Sequence, residues 1–288
     1  MKNITFIGLG IMGAPMAGHL TDAGLKVTAY NRSSKKVEAW KKQYPQGKGT
    51  DNLQDAVQNA DIIISCIGKD DDVRQIAYAE DGILAQAPAG AIWVDHTTTS
   101  AIVAQELYQA CQAKKLHFID APVSGGQSGA EKGTLALMMG GDAQAINVVS
   151  TVLQYYASRM THVGGSGSGQ LTKMVNQICL AGLIQALSEG LSFARKAGLD
   201  TDKVLEAISK GAAQSWQMDN RGKSMCRETF DFGFAVDLMR KDLAICLEQA
   251  RQIGSSLPIT ALVDQFYADI QALGGHRWDT SSLIKRLL

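Results

Sequence analysis

The sequence predicts an α/β domain built on a doubly wound sheet, followed by an all-α C-terminal domain that a long interdomain helix joins to it. Three observations lead to this fold class. Short apolar runs alternate with helical patterns through the first half of the chain, which is typical of βα units. A glycine-rich run then occupies residues 164–169, and only helical periodicity follows it. We therefore predict an α/β domain at residues 1–164 and an all-helical domain at residues 165–288.

The bulk composition argues against two classes of binding partner, nucleic acids and membranes. The 288 residues include 28 Lys plus Arg and 28 Asp plus Glu, so the formal net charge is zero. This balance gives no electrostatic footprint for nucleic acid or for an anionic membrane, and we expect neither as a partner. The five cysteines are scattered without a CxxC spacing, which argues against a disulfide framework or a zinc site and favours the cytoplasm.

The start of the chain and its apolar windows predict no signal peptide and no membrane span. The first residues are too short an apolar run for a signal peptide. The apolar stretch at residues 174–191 is interrupted by asparagine, glutamine, serine and glutamate side chains. We therefore expect no window to reach a membrane span, and we interpret this stretch as a central helix.

A GxGxxG motif links the first predicted strand, at residues 4–7, to a helix that ends near Gly24, and a second strand follows at residues 27–30. In this order Gly8 permits the tight turn, Gly10 lets the backbone approach a pyrophosphate, and Gly13 lets the helix pack on the strand. The unit predicts a Rossmann-type NAD(P)-binding domain; the alternative is a glycine-rich turn in an ordinary α/β protein. The predicted cofactor contacts in this turn are Gly8, Leu9, Gly10, Ile11, Met12 and Gly13.

The end of the second strand bears on the choice of cofactor. NAD sites usually place an Asp or Glu there, whereas this chain continues with Asn31, Arg32 and Ser33 and has no acid before Glu38. An asparagine followed by an arginine suits the 2′-phosphate of NADP, so we predict NADP and keep NAD as the alternative. Arg32 could instead be an exposed residue at a helix start that touches nothing.

Further cofactor contacts are predicted at the ends of the next two strands, at residues 62–67 and 91–95, and just past them. In a parallel sheet these positions line the ligand crevice. Asp70, Asp71 and Asp72 are interpreted as a helix cap, and His96 as a loop residue without an orienting partner. The threonines could also be plain helix caps. The predicted contacts are Cys66, Ile67, Gly68, Thr97 and Thr98.

A candidate anion site follows the strand predicted at residues 116–120. Ser124, Gly125 and Gly126 offer a hydroxyl and closely packed backbone N–H groups, which suit a small carboxylate; a simple turn is the alternative. A strand at 135–139, a helix at 143–156 and a strand at 161–163 complete the predicted domain.

The second half is predicted as one long helix at residues 169–197, followed by helices at 202–210, 235–253 and 258–272. Lys173 is the only full charge at the entrance of a segment that has no other charged residue up to position 188. It shares a helix face with Asn176 and Gln177. The helix N-terminus and partial desolvation are expected to lower the pKa of Lys173 towards that of a general acid or base, with the substrate bound between the two domains.

Other features of this half have less specific interpretations. Arg240, Lys241 and Asp242 are interpreted as a solvated helix face. Trp216 and Phe232 are more typical of a core than of a site. Arg221 could reach a substrate carboxylate or form a surface ion pair.

Four motifs occur in order along the whole chain: residues 8–17, residues 120–126, residues 164–176 with their glycines, Lys173 and Asn176, and the triplet Lys241-Asp242-Leu243. Together they resemble the β-hydroxyacid dehydrogenase family, which includes 3-hydroxyisobutyrate dehydrogenase, tartronate semialdehyde reductase and glyoxylate/succinic semialdehyde reductases. The resemblance implies hydride transfer between NAD(P) and a β-hydroxy acid or short semialdehyde, without a metal.

The resemblance also implies residue roles. Lys173 would be the catalytic acid or base, and Asn176 would position substrate and lysine. Some relatives have the asparagine four residues after the lysine, where this chain has Gln177. Lys241 would lie over the cofactor, Asp242 would support the active site and Trp216 would shape the substrate pocket. The substrate carboxylate would be held by Ser124, Gly125 and Gly126. The family assembles into homodimers or homotetramers.

Two alternative functions remain at this point. One is an NAD-dependent 3-hydroxyisobutyrate or serine dehydrogenase. The other, of a different class, is a non-catalytic regulator that binds the nicotinamide cofactor, against which the presence of Lys173 argues. Imine reductases share the architecture but generally lack the lysine, and the C-terminal domain is too short for that of 6-phosphogluconate dehydrogenase.

Overall fold

The computed structural model describes residues 2–288, which fall into two units according to their internal contacts. The first unit ends at Lys173, and the second is Met174–Leu288. The long helix predicted at the junction begins in the first unit and continues into the second. Lys173 is therefore the last residue of the first unit.

A nine-stranded sheet forms the centre of the first unit. Its strands are β1 (Asn3–Ile7), β2 (Lys26–Tyr30), β3 (Lys48–Thr50), β4 (Ile62–Ser65), β5 (Ile92–Asp95), β6 (His117–Asp120), β7 (Val123–Ser124), β8 (Leu135–Gly141) and β9 (Ala157–Gly164). Their order is β3-β2-β1-β4-β5-β6-β8-β7, with β9 paired to β8. The strand order reverses at β1, and such a reversal is where open α/β sheets bind ligands.

The pairing confirms the doubly wound fold class and adds one detail that the sequence did not predict. β1 to β6 pair in parallel, whereas β8 runs antiparallel to both β6 and β7. β9 then pairs parallel to β8. A strand's direction depends on its connection to its partner, which an apolar run alone does not reveal.

Helices follow most of these strands, and the second unit is helical throughout its described elements. The helices are α1 (Gly13–Asp22), α2 (Ser34–Gln43), α3 (Leu53–Val57), α4 (Asp70–Tyr78), α5 (Ile83–Gln86), α6 (Ala101–Ala113), α7 (Gly126–Lys132), α8 (Ala143–Leu153), α9 (Ser168–Lys196), α10 (Thr201–Ile208), α11 (Trp216–Cys226), α12 (Val236–Ile253), α13 (Pro258–Ala272) and a 3-10 helix (Thr280–Leu287). Helix α13 begins and ends at the predicted residues, with Pro258 in its first turn where its missing N–H is harmless.

Both faces of the sheet are buried at the central parallel strands β1, β4, β5 and β6, which explains why these strands are continuous apolar runs. Ile4 and Phe6 pack into a core with α1 and α8, while Ile7 and Ile63 pack into a second core with α4 and α6. Alternate strand residues thus supply opposite cores. Each such fully buried side chain contributes about 1.5–3 kcal/mol.

Two differences from the predicted elements concern short or polar segments. Helix α8 ends at Leu153 instead of position 156, and β9 begins already at Ala157. Helices α2 and α11 were not predicted, because polar residues dominate them; α2 buries only Val37 and Trp40.

Helix α9 corrects the expectation that no window reaches a membrane span. Its 29 residues are long and apolar enough to cross a membrane by length and composition alone, with a mean hydropathy of 1.2 over the best window. Half of that window is buried inside the protein, and core helices of soluble proteins pass the same test. The interrupting polar residues did not lower the average enough to exclude it.

The second unit packs α9 against α12, α13 and the 3-10 helix through a core that includes Ile184, Met239 and Tyr267. Two predictions for this unit are wrong. Trp216 is not a core residue, since 51% of its surface is exposed. The charged cluster on α12 is not a solvated face, because Asp242 is 3% exposed.

Candidate active site

The glycine turn after β1 has the geometry of a dinucleotide-binding turn. Gly8 has a φ of +102°, and a Cβ on it would overlap the carbonyl oxygen of Cys66. A Cβ on Gly13 would overlap the carbonyl oxygen of Gly8, so α1 starts in close contact with the turn. A Cβ on Gly10 would meet nothing within 4 Å. The turn is therefore closed towards the protein and open at Gly10, which leaves room for the pyrophosphate of a dinucleotide.

A cavity of about 410 Å³ lies beside this turn. Eight predicted cofactor contacts line it: Gly8, Gly10, Asn31, Arg32, Ser33, Cys66, Ile67 and Gly68. The sequence prediction missed further lining residues, among them Lys36, Asp72 and Asp81. Lys36 could have been found from its spacing, because it lies one helical turn after Arg32 and Ser33. The residues present fit a nicotinamide dinucleotide.

The part of this cavity that lies beside the end of β2 contains charges of both signs. Asn31 Oδ1 accepts a hydrogen bond from the backbone N–H of Leu9 (3.1 Å), which ties the end of β2 to the glycine turn. The Arg32 side chain is 83% exposed, and its Nη1 lies 3.9 Å from Oδ1 of Asp72. Asp72 Oδ2 also accepts from the backbone N–H of Lys69 (3.1 Å), so Asp72 caps α4 as predicted. Burial, followed by the charge of Asp81, raises the pKa of Tyr30 in the same wall.

A buried hydrogen-bond network supports the Cys66–Gly68 side of the cavity. Asp95 Oδ1 accepts hydrogen bonds from the hydroxyls of Ser65 (2.7 Å) and Thr97 (2.6 Å). The Thr97 oxygen in turn accepts from the backbone N–H of Ile67 (3.1 Å). Thr97 is buried and engaged in this network, whereas Thr98 is half-buried. Thr97 therefore fixes the backbone of Ile67, which lines the cavity, without lining the cavity itself.

His96 is a structural residue, and the expectation that it lacks an orienting partner is wrong. Its Nδ1 lies 2.6 Å from the carbonyl oxygen of Ala121, and its Nε2 lies 2.8 Å from the hydroxyl of Tyr156. Burial lowers the pKa of His96 to about 4. The neutral ring then donates from Nδ1 and accepts the Tyr156 proton at Nε2. The partner was missed because Tyr156 is 60 residues away in sequence.

The start of α9 is bound to the carboxyl ends of β5 and β6. Asp120 is fully buried, and its two carboxylate oxygens accept from the backbone N–H groups of Gly167 (2.8 Å) and Gln170 (2.9 Å). The Gln170 amide donates to the carbonyl of Thr97 (2.7 Å) and accepts from the N–H of Thr99 (3.1 Å). Burial raises the pKa of Asp120 to about 7, against the opposing effect of its backbone hydrogen bonds.

Lys173 follows one turn later in α9 and is 8% exposed. Its Nζ donates to the carbonyl oxygen of Val123 (2.9 Å), the residue before Ser124. Ser124 is half-buried, and Gly125 and Gly126 are exposed with φ angles of +131° and +60°. The structure thus brings the lysine ammonium group to the segment that was predicted to hold a carboxylate. This segment and the cofactor cavity belong to the same unit.

In the second unit Gln177 rather than Asn176 makes the buried contact. Gln177 is 1% exposed, and its Nε2 donates to Asp242 Oδ2 (2.7 Å). Asn176 donates to Gln177 Oε1 (2.8 Å) from a half-buried position. The other oxygen of Asp242 lies 3.2 Å from Lys241 Nζ. Lys241, Asp242, Gln177 and Asn176 therefore form one connected polar group.

Trp216 and Arg221 form a separate cluster in the second unit. The Arg221 guanidinium lies over the rings of Trp216 (5.0 Å) and Phe232 (4.8 Å). Its Nε is also 3.3 Å from Oδ1 of Asp279, a carboxylate that is 1% exposed. Arg221 thus pairs with a buried acid of its own chain, and the sequence did not point to Asp279.

In a comparison with known proteins, two family models match the chain, one over each half. The family model of the NAD binding domain of 6-phosphogluconate dehydrogenase matches residues 3–164. The model described as NAD-binding of NADP-dependent 3-hydroxyisobutyrate dehydrogenase matches residues 167–287.

Individual relatives agree over nearly the full length. An uncharacterized oxidoreductase of Shewanella frigidimarina is 56% identical, covering 100% of this chain and 98% of the relative. The 2-hydroxy-3-oxopropionate reductase of Escherichia coli is 34% identical, with 98% and 96% covered. The structure of Mycobacterium tuberculosis 3-hydroxyisobutyrate dehydrogenase with L-serine matches with a TM-score of 0.90, 29% identity, and 100% and 99% covered. The chain is a member of the β-hydroxyacid dehydrogenase family of NAD(P)-dependent oxidoreductases.

Proposed function

We propose that the protein transfers a hydride between NADP(H) and a small β-hydroxy acid or short semialdehyde, with Lys173 as the general acid or base. One observation carries this proposal. The ammonium group of Lys173 is nearly buried and lies 2.9 Å from the backbone of Val123, directly before Ser124. An amine held beside an anion-binding segment can exchange a proton with the oxygen of a bound hydroxy acid.

Different residues of the chain exchange the proton and bind the substrate carboxylate. When bound, the nicotinamide supplies or accepts the hydride. Lys173 donates a proton to the carbonyl oxygen during reduction and removes it during oxidation. The Ser124 hydroxyl and the backbone around the two following glycines hold the substrate carboxylate, which fixes the reacting carbon relative to the lysine. A small substrate with a single carboxylate matches this short segment.

We assign the positioning of the substrate and of Lys173 to Gln177 together with Asn176. Gln177 lies four residues after Lys173 and so shares its helix face. Its hydrogen bond to the buried carboxylate of Asp242 fixes the amide, and Asn176 bonds to the same amide. Asp242 and its ion-pair partner Lys241 thereby hold the Gln177 amide in place on this helix. Trp216 is proposed to shape substrate access, which its exposure permits.

The NADP preference rests on Arg32 and Lys36. Both line the cavity, and neither Asn31 nor Ser33 carries the negative charge that would repel a 2′-phosphate. Asp72 acts against this preference, because its carboxylate lies beside Arg32. An NAD-dependent enzyme is therefore the second candidate. Comparing kcat/KM for NADPH and NADH decides between them, and a clear preference for NADH would refute the NADP assignment.

The relatives support the substrate class. The E. coli relative is a 2-hydroxy-3-oxopropionate reductase, and the M. tuberculosis structure contains L-serine. Both small molecules carry one carboxylate and an oxygen on the β-carbon. The same chemistry would suit the Ser124–Gly126 segment here.

A homo-oligomer is proposed from the surface of α9. Val175, Cys179, Ala186, Gly190 and Phe193 are exposed at helical spacing in the second unit, and Phe193 is 74% exposed. Such an apolar stripe on a helix is costly in water and suits a second copy of the chain. Light scattering on the purified protein should give a dimer or tetramer. Phe193→Asp should shift the mass towards the monomer, whereas Lys196→Ala on the same helix should not.

The reaction is tested by a substrate panel read at the nicotinamide absorbance. Glyoxylate, succinic semialdehyde, tartronate semialdehyde and methylmalonate semialdehyde are offered with NADPH or NADH, and serine and 3-hydroxyisobutyrate with the oxidised cofactors. We expect turnover of at least one, and loss of that turnover in Lys173→Ala with cofactor binding retained. No turnover across the panel, with tight NADPH binding, would favour the non-catalytic regulator.

A further inference from the structure

Asp120 has an unusual position for a carboxylate, because it is fully buried where a strand meets the start of a helix. It ends β6, and its oxygens accept from Gly167 N (2.8 Å) and Gln170 N (2.9 Å) at the beginning of α9. Gly167 directly precedes α9 and Gln170 lies in its first turn, where backbone N–H groups have no intrahelical partner. The carboxylate therefore serves as the cap of α9, although it comes from 47 and 50 residues earlier in the chain.

The glycines around this carboxylate allow the close approach. A Cβ on Gly169 would lie 2.8 Å from Asp120 Oδ2 and would overlap the carbonyl oxygen of Met138. A Cβ on Gly140 would lie 2.6 Å from Asp120 Oδ1 and 2.8 Å from the carbonyl oxygen of Gly165. The helix start is thus packed directly on the sheet around Asp120, and it cannot shift without breaking the two hydrogen bonds.

Gln170 makes a second attachment at the same helix start. Its buried side chain donates to Thr97 O (2.7 Å) and accepts from Thr99 N (3.1 Å), both in the loop after β5. The first turn of α9 is therefore bound to two neighbouring strand ends. Asp120, at the end of β6, accepts a hydrogen bond from its Gln170 N–H group, and its own Gln170 side chain bonds to the loop after β5. A helix held at two points has a defined direction as well as a defined position.

Lys173 lies on the next turn of this helix, and its ammonium group returns to the chain segment that Asp120 begins. Asp120 is followed by Ala121, Pro122 and Val123, and Lys173 Nζ donates to Val123 O (2.9 Å). One short segment thus binds the start of α9 at Asp120 and the lysine at Val123. A change at Asp120 would alter the distance from the lysine to Ser124 directly.

We propose that Asp120 is a positioning residue for Lys173: by capping the first turn of α9, its carboxylate sets where the lysine ammonium group stands relative to the Ser124–Gly126 segment. The inference rests on the proposed role of Lys173 as acid or base. Gln170, on α9 itself, adds a second attachment by bonding to the loop after the neighbouring strand β5. Asp120 itself touches neither substrate nor cofactor in this account.

The decisive variant is Asp120→Asn, which keeps size and shape. Asparagine offers one accepting oxygen, and its amide N–H₂ group would face the second backbone N–H, so one of the two hydrogen bonds is lost. Gln170→Met removes the second attachment while retaining the length of the side chain. Leu153→Ala in the core of α8 is the matched control, because it destabilises the first unit without touching the start of α9.

Two measurements on the full-length protein do not depend on turnover. Amide hydrogen exchange should become at least about tenfold faster in Asp120→Asn at whichever of Gly167 and Gln170 faces the new amide N–H₂ group, since that backbone N–H loses its acceptor. Chemical modification of Lys173 by an amine-reactive ester, followed by mass spectrometry, should also become faster. Leu153→Ala should change neither the amide exchange at Gly167 and Gln170 nor the rate of Lys173 modification. Unchanged exchange and unchanged lysine modification in Asp120→Asn would overturn the proposal.

Steady-state kinetics with the most active substrate of the panel completes the test. We expect kcat to fall about 10- to 100-fold in Asp120→Asn, as for an acid or base misplaced by about 1 Å, with the NADPH dissociation constant unchanged. Gln170→Met should lower kcat by a smaller factor. If Lys173→Ala is inactive and Asp120→Asn keeps full kcat, positioning by Asp120 is wrong while the proposed function stands. If Lys173→Ala keeps full turnover, the proposed function itself is wrong.

Discussion

Two glycine-rich runs in the first unit lead from a strand into a helix, and they differ in what faces the helix start. The run at residues 8–13 joins β1 to α1, and a Cβ on Gly10 would meet nothing within 4 Å. The run at residues 164–169 joins β9 to α9, and there the Asp120 carboxylate accepts two of the first backbone N–H groups. One helix start is open and the other is filled by the protein's own anion.

The difference explains the two tasks of these runs. The N-terminus of a helix carries a partial positive charge and unpaired N–H groups, so it attracts an anion. At α1 the space next to Gly10 is open and the N-cap residue Met12 makes no side-chain cap bond, and we propose that the phosphates of a cofactor bind there. At α9 the anion is built in, so the helix is fixed and can hold Lys173. In the proposed mechanism the same sequence feature thus binds a ligand in one place and positions a side chain in the other.

The largest expected effect comes from crowding the filled run. Gly169→Ala would drive a Cβ into the carbonyl oxygen of Met138 and to within 2.8 Å of Asp120 Oδ2. We expect a loss of about 1–3 kcal/mol of unfolding free energy, measured by urea denaturation, as for overpacked cores. Gly165→Ala in the same run is the control, because a Cβ there meets nothing within 4 Å. Equal stability of both variants would contradict the close packing around Asp120.

The open run should respond in the opposite way. Gly10→Ala has space for its Cβ in the free protein, so the urea midpoint should match that of the wild type. The added methyl group would occupy the space proposed for the pyrophosphate, and we expect the NADPH dissociation constant to rise about tenfold or more. Fluorescence titration measures it, with Gly165→Ala again as the control. Wild-type affinity in Gly10→Ala would show that the phosphates bind elsewhere.

The charge of Asp120 should make the filled run sensitive to pH. Its pKa is raised to about 7 by burial and, to a smaller extent, by Asp95 on the paired strand β5. The facing residues of β8 and α9, Gly140, Gly167 and Gln170, carry no titratable side chain. Protonation turns one accepting oxygen into a donor, so kcat should fall as the pH drops through about 7. Asp120→Asn should lose this dependence.

Stability should change with pH in the opposite direction. Because the folded pKa lies above the ordinary value of 3.8, Asp120 contributes most to unfolding free energy below that value. This contribution declines as the pH rises from about 4 to about 7. A pH series of urea midpoints for wild type and Asp120→Asn isolates it. A difference between the two proteins that does not vary with pH would contradict the raised pKa.

The smallest effect is expected at Asp72, which lines the cavity beside the open run. Asp72→Asn removes the carboxylate that lies 3.9 Å from Arg32 in an exposed pair. Exposed pairs are worth at most about 1 kcal/mol, so the ratio of kcat/KM for NADPH over NADH should rise about two- to fivefold. Asp71→Asn, on the exposed side of the same helix start, is the control. An unchanged ratio in Asp72→Asn would remove Asp72 from cofactor selection.

Local patterns in the sequence predict the open run well and the filled run poorly. Gly8, Gly10 and Gly13 follow a strand and open a helix, and their spacing in this strand–turn–helix context predicts their roles. The function of Asp120 depends on partners 47 and 50 residues away, and no periodicity marks them. Lys173 was found because a lone charge precedes an apolar helix. The buried acids Asp120 and Asp279 were missed, because burial of a charge is decided by tertiary hydrogen bonds.

The same limit applies in the second unit. Residue type suggests a core position for Trp216 and a solvated one for Asp242, and the structure reverses both. Arg221 over the Trp216 ring and Gln177 on Asp242 account for the two reversals. The motif favoured Asn176 over Gln177. In the structure Gln177 donates directly to Asp242, and Asn176 contacts only Gln177 within this polar group.

Chemical rescue of Lys173→Ala tests the central claim most directly. At saturating NADPH and substrate, we expect kcat to fall about 10²- to 10⁴-fold, with NADPH binding retained. Added methylamine or ammonium should then restore part of the turnover in proportion to its concentration, because a small amine can occupy the space of the missing side chain and exchange the proton. Full turnover of Lys173→Ala without added amine would contradict the role of Lys173 as acid or base.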